Sequence, residues 1–407
     1  MSLSVPLPER SLRWIQVLLA VACGLTIANL YYAQPLTGLI STGLGMPHSS
    51  AGLLVTLPLA GYGTGLLMIV PLGDLFENRR LVLLLLGIEL LAALALSFAS
   101  WPPLYLFVAF VIGLVASAVQ LLVPYITYLV PEAARGRAVG RVVSGVMLGI
   151  MLARPASSLI AHAASWREVF RVSALLMASV MVALRLALPT RQPAPGLTYG
   201  VLLRSMRTLF VQTELLRRRG IYQAFLFGAF SVFWTALPLW LSGPAFGLGQ
   251  QGIAWVALAG VAGAIAPPFA GRLADRGLAR TGTAAAMLLA SVSFALSRFA
   301  PAHTPLSLGI VVVSAILLDF AVSANLVLSQ RAIYSLGAEQ RSRMNSLFMT
   351  TFFAGGAIGS ALAGWAYTHA GWTGVAVLGT LLPLIALAYF ATERRETAPA
   401  CTAPSLP

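Results

Sequence analysis

Long apolar segments alternate with short polar connections along almost the whole chain. A helix needs about 20 mostly apolar residues to cross a bilayer, and twelve segments of the chain meet that requirement. We predict membrane-spanning helices at 14–40, 50–72, 81–99, 103–130, 142–163, 168–188, 220–243, 252–270, 281–299, 305–330, 344–367 and 373–392. The pattern therefore predicts an all-α membrane protein.

Polar, aromatic and glycine positions recur after 206 residues, which indicates two copies of one six-helix unit. The recurring pairs are Tyr128 with Tyr334, Arg135 with Arg341, Gly149 with Gly355, and Trp166 with Trp372. A duplication in a membrane chain predicts two pseudo-symmetric bundles that face each other across a pathway. The spacings Gly145–Gly149 and Gly355–Gly359 further predict close packing of two helices against their neighbours.

The one long connection divides the chain. We predict an N-terminal bundle over 1–188, a linker over 189–219, a C-terminal bundle over 220–394 and a disordered tail over 395–407. A helix lying on the membrane surface is typical of such alternation of apolar and basic residues; a simple linker is the alternative. The alternating residues are Leu202, Leu203, Arg204, Met206, Arg207, Leu209 and Phe210.

Charged residues support a membrane location and predict its orientation. Only 9% of the residues are charged, against about 25% in a soluble domain. All 26 basic residues are arginines, and 21 of them fall in segments on the side of the predicted N-terminus, against two on the other side. Because cytoplasmic loops collect basic residues, we predict that both termini are cytoplasmic. The net charge of +14 then reflects orientation, and we expect no nucleic-acid partner.

Neither cysteines nor histidines predict a metal site or a disulfide. Cys23 lies in an apolar segment and Cys401 in the tail, so a disulfide framework is not indicated. The four histidines come from four separate connections, which favours scattered interfacial side chains over a coordinated metal. We expect no cofactor.

Three charged residues lie near the middle of predicted helices, namely Glu89, Arg154 and Asp319. Inserting a charge there costs about 2.5–3.5 kcal/mol, so its default interpretation is functional. We predict Asp319 as a proton-coupling site, with a structural aspartate as the alternative. Glu89 is a second candidate for coupling, although a structural pair with Arg154 is favoured. Arg154 either binds an anionic substrate group or pairs with Asp319.

An aspartate–arginine spacing is repeated in two connections, as Asp74 with Arg79 and Asp275 with Arg280. The carboxylate can accept from a helix N-terminus, and the arginine can clamp a facing helix. We predict a conformational latch that holds one state and breaks in the other. The alternative is that these charges only set the orientation.

The same connections resemble the signature Gly-x-Leu-x-Asp-Arg-x-Gly-Arg-Arg of the major facilitator superfamily. The second copy is close, with Gly271, Leu273, Asp275, Arg276 and Arg280, whereas the first, 73–80, lacks the glycine four residues before Asp74. The sequence at 28–35 (ANLYYAQP) resembles a bacterial subgroup annotated mostly as drug or metabolite exporters. The resemblance covers about residues 10–395.

The resemblance implies that helices 1, 4, 7 and 10 line a central cavity, while helices 3, 6, 9 and 12 lie outside them. Asp319 would then lie in the cavity and Glu89 at its periphery. The predicted substrate-binding residues are Asn29, Tyr32, Gln120, Arg154, Gln223, Phe230, Trp234 and Ser323. On helix 7, a stripe of aromatic side chains is also consistent with simple packing.

We predict a secondary transporter in the bacterial inner membrane, monomeric and without nucleotide-binding motifs. Proton-coupled export of small amphiphilic organic molecules by alternating access is the leading prediction. An importer or facilitator for a single small metabolite is the alternative. An enzyme is not expected, because the chain has no HExxH motif, no GxSG-type nucleophile and no aspartate dyad.

Overall fold

The computed structural model describes residues 9–190, 198–260, 265–300, 304–337 and 340–393, in which helices occur without any strand. The α-helices are α1 (Glu9–Ala28), α2 (Thr37–Gly43), α3 (Leu53–Met68), α4 (Asn78–Phe98), α5 (Pro102–Ala116), α6 (Val119–Tyr125), α7 (Glu132–Ala163), α8 (Trp166–Ala187), α9 (Tyr199–Gln212), α10 (Glu214–Ser242), α11 (Gln250–Ala259), α12 (Ala266–Asp275), α13 (Ala279–Arg298), α14 (Pro305–Tyr334) and α15 (Arg341–Ala391).

Helical stretches long and apolar enough to cross a bilayer dominate the described ranges, where nine are found. The longest, α15, holds two predicted spans in its 51 residues. These are separated at Ala370 and Gly371, and Gly371 has a φ of 56°, a left-handed value that favours glycine. The predicted span 252–270 corresponds to α11 and α12, on either side of residues 261–264, which are not described. The all-α membrane fold is confirmed.

The first predicted span, 14–40, is not one helix. The helix α1 ends at Ala28, and the chain continues through turns and a short 3-10 segment, Gln34–Leu36, into α2. Pro35 explains the 3-10 segment, because it has no N–H to donate to the carbonyl of Tyr31, which accepts from the N–H of Gln34 at 3.1 Å instead; the end of α1 at Ala28 has no explanation in the sequence. Side chains from position 29 onwards therefore depart from the helical spacing that the sequence pattern assumed.

The chain contains two Arg-x-Arg sequences, at 135–137 and 341–343. Both lie at the beginnings of helices rather than in loops. Arg135 is in the first turns of α7, and Arg341 begins α15. Arg135 Nε donates to the carbonyl of Thr127 at 3.1 Å, and Arg341 Nε donates to that of Tyr334 at 3.2 Å. In both copies, one arginine thus joins the beginning of a helix to the end of the preceding span.

Glycines bring two helix pairs into backbone contact at equivalent places in the two halves. A Cβ on Gly149 of α7 would lie 2.1 Å from the carbonyl oxygen of Gly24 in α1. On Gly355 of α15, the residue that repeats Gly149, it would lie 2.1 Å from the carbonyl oxygen of Ala224 in α10. These distances are below any van der Waals contact, so only glycine fits the helix spacing found here.

We expect Gly149→Ala to destabilise the protein by about 1–3 kcal/mol, because the added methyl group forces α1 and α7 apart. Gly140→Ala is the matched control on the same helix, since a Cβ there meets nothing within 4 Å. The control should be neutral or stabilising by about 0.5–1 kcal/mol through its helix propensity. Thermal unfolding of the purified variants in detergent measures both; equal effects would contradict the close contact.

The two halves touch through α3 with α15 and through α7 with α11. Thr56 Oγ1 and Ser360 Oγ share a hydrogen bond of 2.9 Å, and Tyr62 meets Phe353 with ring centroids 4.4 Å apart. We call the end of the bundle that carries Arg79, Arg135, Arg280 and Arg341 the arginine-rich end. Thr56 lies near the beginning of α3, so the halves are in contact towards the opposite end.

The linker contains α9, which packs one face against the protein. Leu202 and Met206 are buried, whereas Arg204 and Arg207 are exposed. Met206 belongs to a buried cluster with side chains of α10, α14 and α15. The apolar face that the sequence assigned to the membrane surface is thus at least partly covered by the arginine-rich end of the C-terminal half.

Candidate substrate and coupling site

Arg154 lies between the two halves with aromatic rings around it. It is near the middle of α7, with 4% of its surface exposed. Its Nε donates to Gln34 Oε1 at 2.7 Å, and its guanidinium carbon lies 5.5 Å from the ring centre of Tyr31. From α10, the rings of Phe230 and Trp234 approach this carbon to 4.9 and 4.4 Å. A desolvated cation over an aromatic face gains about 2 kcal/mol. Because Arg154 belongs to the N-terminal half and two of the rings belong to the C-terminal half, these contacts stabilise the interface between the halves.

Asp319 supplies the opposite charge from α14. It is 6% exposed, and Trp234 Nε1 donates to its Oδ1 at 2.8 Å. Among the described residues no ion pair joins its carboxylate to Arg154; Trp234 links the two, because its ring also lies 4.4 Å from the Arg154 guanidinium carbon. A Cβ on Gly260 would lie 2.8 Å from Asp319 Oδ2, so α11 packs directly onto the carboxylate. The structure therefore brings the two predicted charges together across the halves, and Trp234 contacts both.

The predicted residues on α10 separate into two groups. Phe230 and Trp234 face Arg154, as described above. Gln223 instead bonds to α14: its Nε2 donates to the carbonyl of Val322 at 3.2 Å, and its Oε1 accepts from Asn325 at 2.6 Å. Gln223 is fully buried, so in this conformation its amide holds α10 and α14 together.

Glu89 and Asn29 form a separate buried cluster inside the N-terminal half. Asn29 Nδ2 donates to Glu89 Oε1 at 2.8 Å, and Ser173 Oγ donates to Asn29 Oδ1 at 2.6 Å. Glu89 is completely buried, and Tyr32 lies close enough to interact with its charge. The favoured pair of Glu89 with Arg154 is wrong, because Arg154 points towards the C-terminal half and Glu89 joins α4 to α1 and α8.

We expect Glu89→Gln to keep the fold and Glu89→Ala to lose about 1–3 kcal/mol of stability. Glutamine retains an oxygen that accepts from Asn29, whereas alanine leaves that buried amide without its partner. Thermal unfolding in detergent measures the difference. A Glu89→Gln protein that is stable but has lost its response to a proton gradient would show that Glu89 couples transport to protons.

Two further predicted residues lie on lining segments without contacting Arg154. Gln120 of α6 donates to the hydroxyl of Tyr62 at 3.3 Å, while Ser323 of α14 is half-buried and forms no hydrogen bond with a described residue. The described ranges contain no group of three His, Cys, Asp or Glu side chains that could hold a metal ion. The charged and aromatic cluster at Arg154 is thus the centre of the candidate site.

Similarity to known proteins decides the family. The model of the Major Facilitator Superfamily matches residues 17–313 and 221–405. Over 375 residues the chain is 36% identical to the "Uncharacterized transporter YgaY" of Escherichia coli O157:H7. The aligned region covers 91% of this chain and 93% of that protein. The chain belongs to the major facilitator superfamily.

Other comparisons agree with this membership. The chain is 33% identical to "Probable transporter SCO4007" of Streptomyces coelicolor, covering 90% of this chain and 85% of that protein. A crystal structure of the nucleoside transporter NupG superposes with a TM-score of 0.77, covering 93% of this chain and 99% of that one; at 15% identity it shows the fold alone. The protein is a multi-pass membrane transporter of the superfamily and not an enzyme, as predicted.

The arginines of the superfamily signature bind within their own halves. Arg79, in the first turn of α4, donates to the carbonyl of Arg185 near the end of α8. Arg280, in the first turn of α13, donates to the carbonyl of Glu393 after α15 at 2.9 Å. These equivalent bonds tie the first helix turn after each signature to the last span of the same bundle. In this conformation, neither arginine clamps the opposite half.

The two signature aspartates differ. Asp275 forms an ion pair with Arg331 at the end of α14, whereas Asp74 is exposed and pairs with no side chain in the described ranges. The first copy of the signature, which lacks the glycine four residues before its aspartate, is thus also the copy whose aspartate forms no ion pair in the described ranges. The latch is predicted as an arginine that clamps a facing helix and a carboxylate that accepts from a helix N-terminus. Arg79 and Arg280 each bond to a facing span of their own half, whereas Asp275 pairs with Arg331. The role of these residues in switching stays a prediction.

Sequence reasoning overlooked two residues that contact Arg154, namely Tyr31 and Gln34. Both belong to the sequence at 28–35 that resembles the exporter subgroup, so the signal was present. The helical spacing selected Asn29 and Tyr32 instead, because it assumed a continuous helix. The termination of α1 at Ala28 turns Tyr31 and Gln34 towards Arg154 and leaves Asn29 inside the N-terminal half.

Proposed function

We propose that the protein exports small amphiphilic organic molecules in exchange for protons, by alternating access between its two halves. The observation that supports this function best is the buried contact of Trp234 with both Arg154 and Asp319. One cation and one titratable anion thus lie on opposite halves, on either side of one indole ring. A transporter needs such a charge pair if protonation is to alter the contact between its halves.

Protonation of Asp319 is the proposed coupling step. The ionised carboxylate offsets the buried charge of Arg154, and a proton on Asp319 removes that compensation. Coupling between a binding event and a conformational equilibrium is typically about 1–3 kcal/mol. Such a coupling changes the ratio of two conformations about 5- to 150-fold. Protonation would therefore loosen the halves around Trp234, and proton release would bring them together again.

The same cluster offers the chemistry of an amphiphilic binding site. Phe230, Trp234 and Tyr31 provide aromatic faces, while Gln34 and Arg154 provide polar groups. Arg154 Nη2 is buried and has no hydrogen-bond partner among the described residues, so it can donate to an oxygen of a substrate. Such a mixture suits an organic molecule with one apolar and one polar part, whereas a bare-ion site would need clustered carboxylates or carbonyls.

Dye accumulation in cells tests this function. We expect cells that express the protein to accumulate less of several structurally different dyes, such as ethidium and Hoechst-type compounds, than cells expressing an Arg154→Gln variant at the same level. A protonophore should abolish the difference. Unchanged dye accumulation in every case would contradict the exporter, provided that immunoblots show the protein in the membrane.

A second candidate is an importer or facilitator for a single small metabolite. One observation favours it: polar groups such as Gln34 and Asp319 can select one hydrogen-bonding partner strongly. Purified protein mixed with a library of metabolites distinguishes the two, since a ligand that binds the native state raises the unfolding temperature. Stabilisation by one metabolite, together with its uptake without a proton requirement, would support the facilitator.

The orientation with both termini in the cytoplasm, in a bacterial inner membrane, belongs to the same proposal. The two cysteines provide a direct test. Cys23 is completely buried, so a membrane-impermeant maleimide should reach only Cys401 in the tail. We expect labelling in everted vesicles and none in intact cells. Labelling of intact cells, lost in a Cys401→Ser variant, would reverse the orientation.

A further inference from the structure

A groove of about 1420 Å³ runs along the outside of the N-terminal half, between α1, α7 and α8. It is larger than an ordinary small-molecule site of about 300–1,000 Å³. The residues that contact Arg154 from α10 do not line it, and Arg154 itself points away from it. At 100° per residue, Leu148 and Leu152, which line the groove, lie on the face of α7 roughly opposite Arg154. The groove therefore lies on the other face of α7 from the Arg154 cluster, although Tyr32, one of the predicted substrate-binding residues, lines it.

The floor of this groove is the glycine contact between α1 and α7. A Cβ on Gly145 would lie 2.3 Å from the carbonyl oxygen of Ala20, and the Gly149 contact with Gly24 follows one turn further along. All four positions belong to the groove lining. At these two positions the backbones of α1 and α7 touch and leave no opening between the groove and the interior.

The walls of the groove are apolar and exposed. Val17, Leu148 and Leu152 have 53%, 56% and 50% of their surface exposed, although they lie in helices that cross the membrane. From Arg13 to Ala28 the groove follows α1 for about 22 Å at 1.5 Å per residue. One leaflet of bilayer hydrocarbon is about 15 Å thick. An acyl chain in this groove would therefore contact the protein across the whole hydrocarbon thickness of one leaflet.

Positive charge is concentrated where the groove reaches the arginine-rich end. Arg13, Arg137 and Arg141 line it there, and none of the described residues of the lining is an Asp or Glu. Arg141 Nη1 donates to Gln16 Oε1 at 2.8 Å, and Gln16 also lines the groove, so this guanidinium is held at its mouth. Arg137 and Arg141 are four residues apart on one helix, where like charges repel. A bound anion would offset that repulsion.

We propose that this groove binds one anionic phospholipid from the leaflet at the arginine-rich end. The headgroup phosphate would contact Arg137 and Arg141, with Arg13 beside it, and an acyl chain would lie between α1, α7 and α8. Basic pockets between membrane helices suit this combination of charge and hydrocarbon. Because α7 carries Arg154 on its other face, the lipid would hold in place the helix on which the coupling charge stands.

Lipid titration of the purified full-length protein tests the proposal. Phosphatidylglycerol and phosphatidylcholine with identical acyl chains are added in detergent, and bound lipid is counted by native mass spectrometry while the unfolding temperature is recorded. We expect one phosphatidylglycerol molecule to bind at least 10-fold more tightly than phosphatidylcholine and to raise the unfolding temperature more. Equal binding of the two lipids would overturn the proposal, as would a dimer that forms in place of the lipid complex.

Two pairs of substitutions locate the site. Arg137→Gln with Arg141→Gln should reduce phosphatidylglycerol affinity on the order of 10-fold, since each basic residue near an anionic surface contributes appreciably to binding. Arg204→Gln with Arg207→Gln removes the same charge from exposed positions of α9 and should keep the lipid preference. Loss of preference in the α9 variant alone would place the lipid elsewhere. These readouts are independent of transport, so they stand whether or not the protein is an exporter.

Discussion

Replacement of Asp319 by asparagine is expected to abolish transport that is driven by a proton gradient. Asparagine keeps an oxygen that accepts from Trp234 Nε1, so the local packing is retained, but it carries neither the charge that interacts with Arg154 nor an exchangeable proton. We expect the driven dye efflux to fall to the level of cells without the protein. Exchange of labelled for unlabelled dye across liposomes, which needs no gradient, should persist.

Two controls accompany Asp319→Asn. Asp319→Glu preserves a titratable group and should retain part of the gradient-driven activity. Glu132→Gln removes one carboxylate from an exposed position at the beginning of α7 and should behave as the wild type. If Asp319→Asn still accumulated or expelled substrate against a gradient at the wild-type rate, Asp319 would not be the coupling group.

Loss of the Arg154 side chain is expected to be the most damaging single substitution in the site. Arg154→Gln removes the cation that lies over three rings, ends its charge-assisted hydrogen bond to Gln34, and leaves Asp319 without a nearby positive charge. Arg154→Lys keeps the charge but lacks the planar fork that reaches Gln34. We therefore expect transport and the unfolding temperature to decrease in the order wild type, Arg154→Lys, Arg154→Gln.

A double-mutant cycle separates the charge interaction from the loss of packing. Arg154→Gln combined with Asp319→Asn removes both charges at once, so the double variant should be more stable than the two single effects predict. We expect a coupling of about 1–3 kcal/mol in the free energy of unfolding, the range for side chains in one network. Additive effects would show that the two charges do not interact in the folded protein.

Much of the architecture follows from sequence patterns because apolar length and arginine placement are strong signals in a membrane chain. The predicted duplication appears in the structure as repeated contacts: Gly149 and Gly355 bring equivalent helix pairs together, and Arg79 and Arg280 make equivalent bonds. These features were predictable because each depends on spacing along regular helices.

Two kinds of signal predicted residues of the site: a charge in hydrocarbon, for Arg154 and Asp319, and a stripe of aromatic side chains on α10, for Phe230 and Trp234. Asp319 and Arg154 stand out because inserting a charge into bilayer hydrocarbon is costly. In the structure both contact Trp234. The orientation of Asn29 was not predictable from helical spacing, since the turns that follow Ala28 rotate the chain. The partner of Glu89 depended on how α4 and α8 pack around α1, which no local pattern reports.

Protonation of Asp319 is proposed to control the contact between the halves. A distance measured across the arginine-rich end tests this directly. Spin labels would be attached at Gly136→Cys and Ser342→Cys, exposed positions related by the internal duplication, with Cys401→Ser removing the tail thiol. Pulsed electron paramagnetic resonance then gives the distance distribution at several pH values. We predict that the populations change with pH in the wild-type background and stay fixed in Asp319→Asn. The same pH-dependent change in both proteins would show that Asp319 is not the group whose protonation alters the contact between the halves.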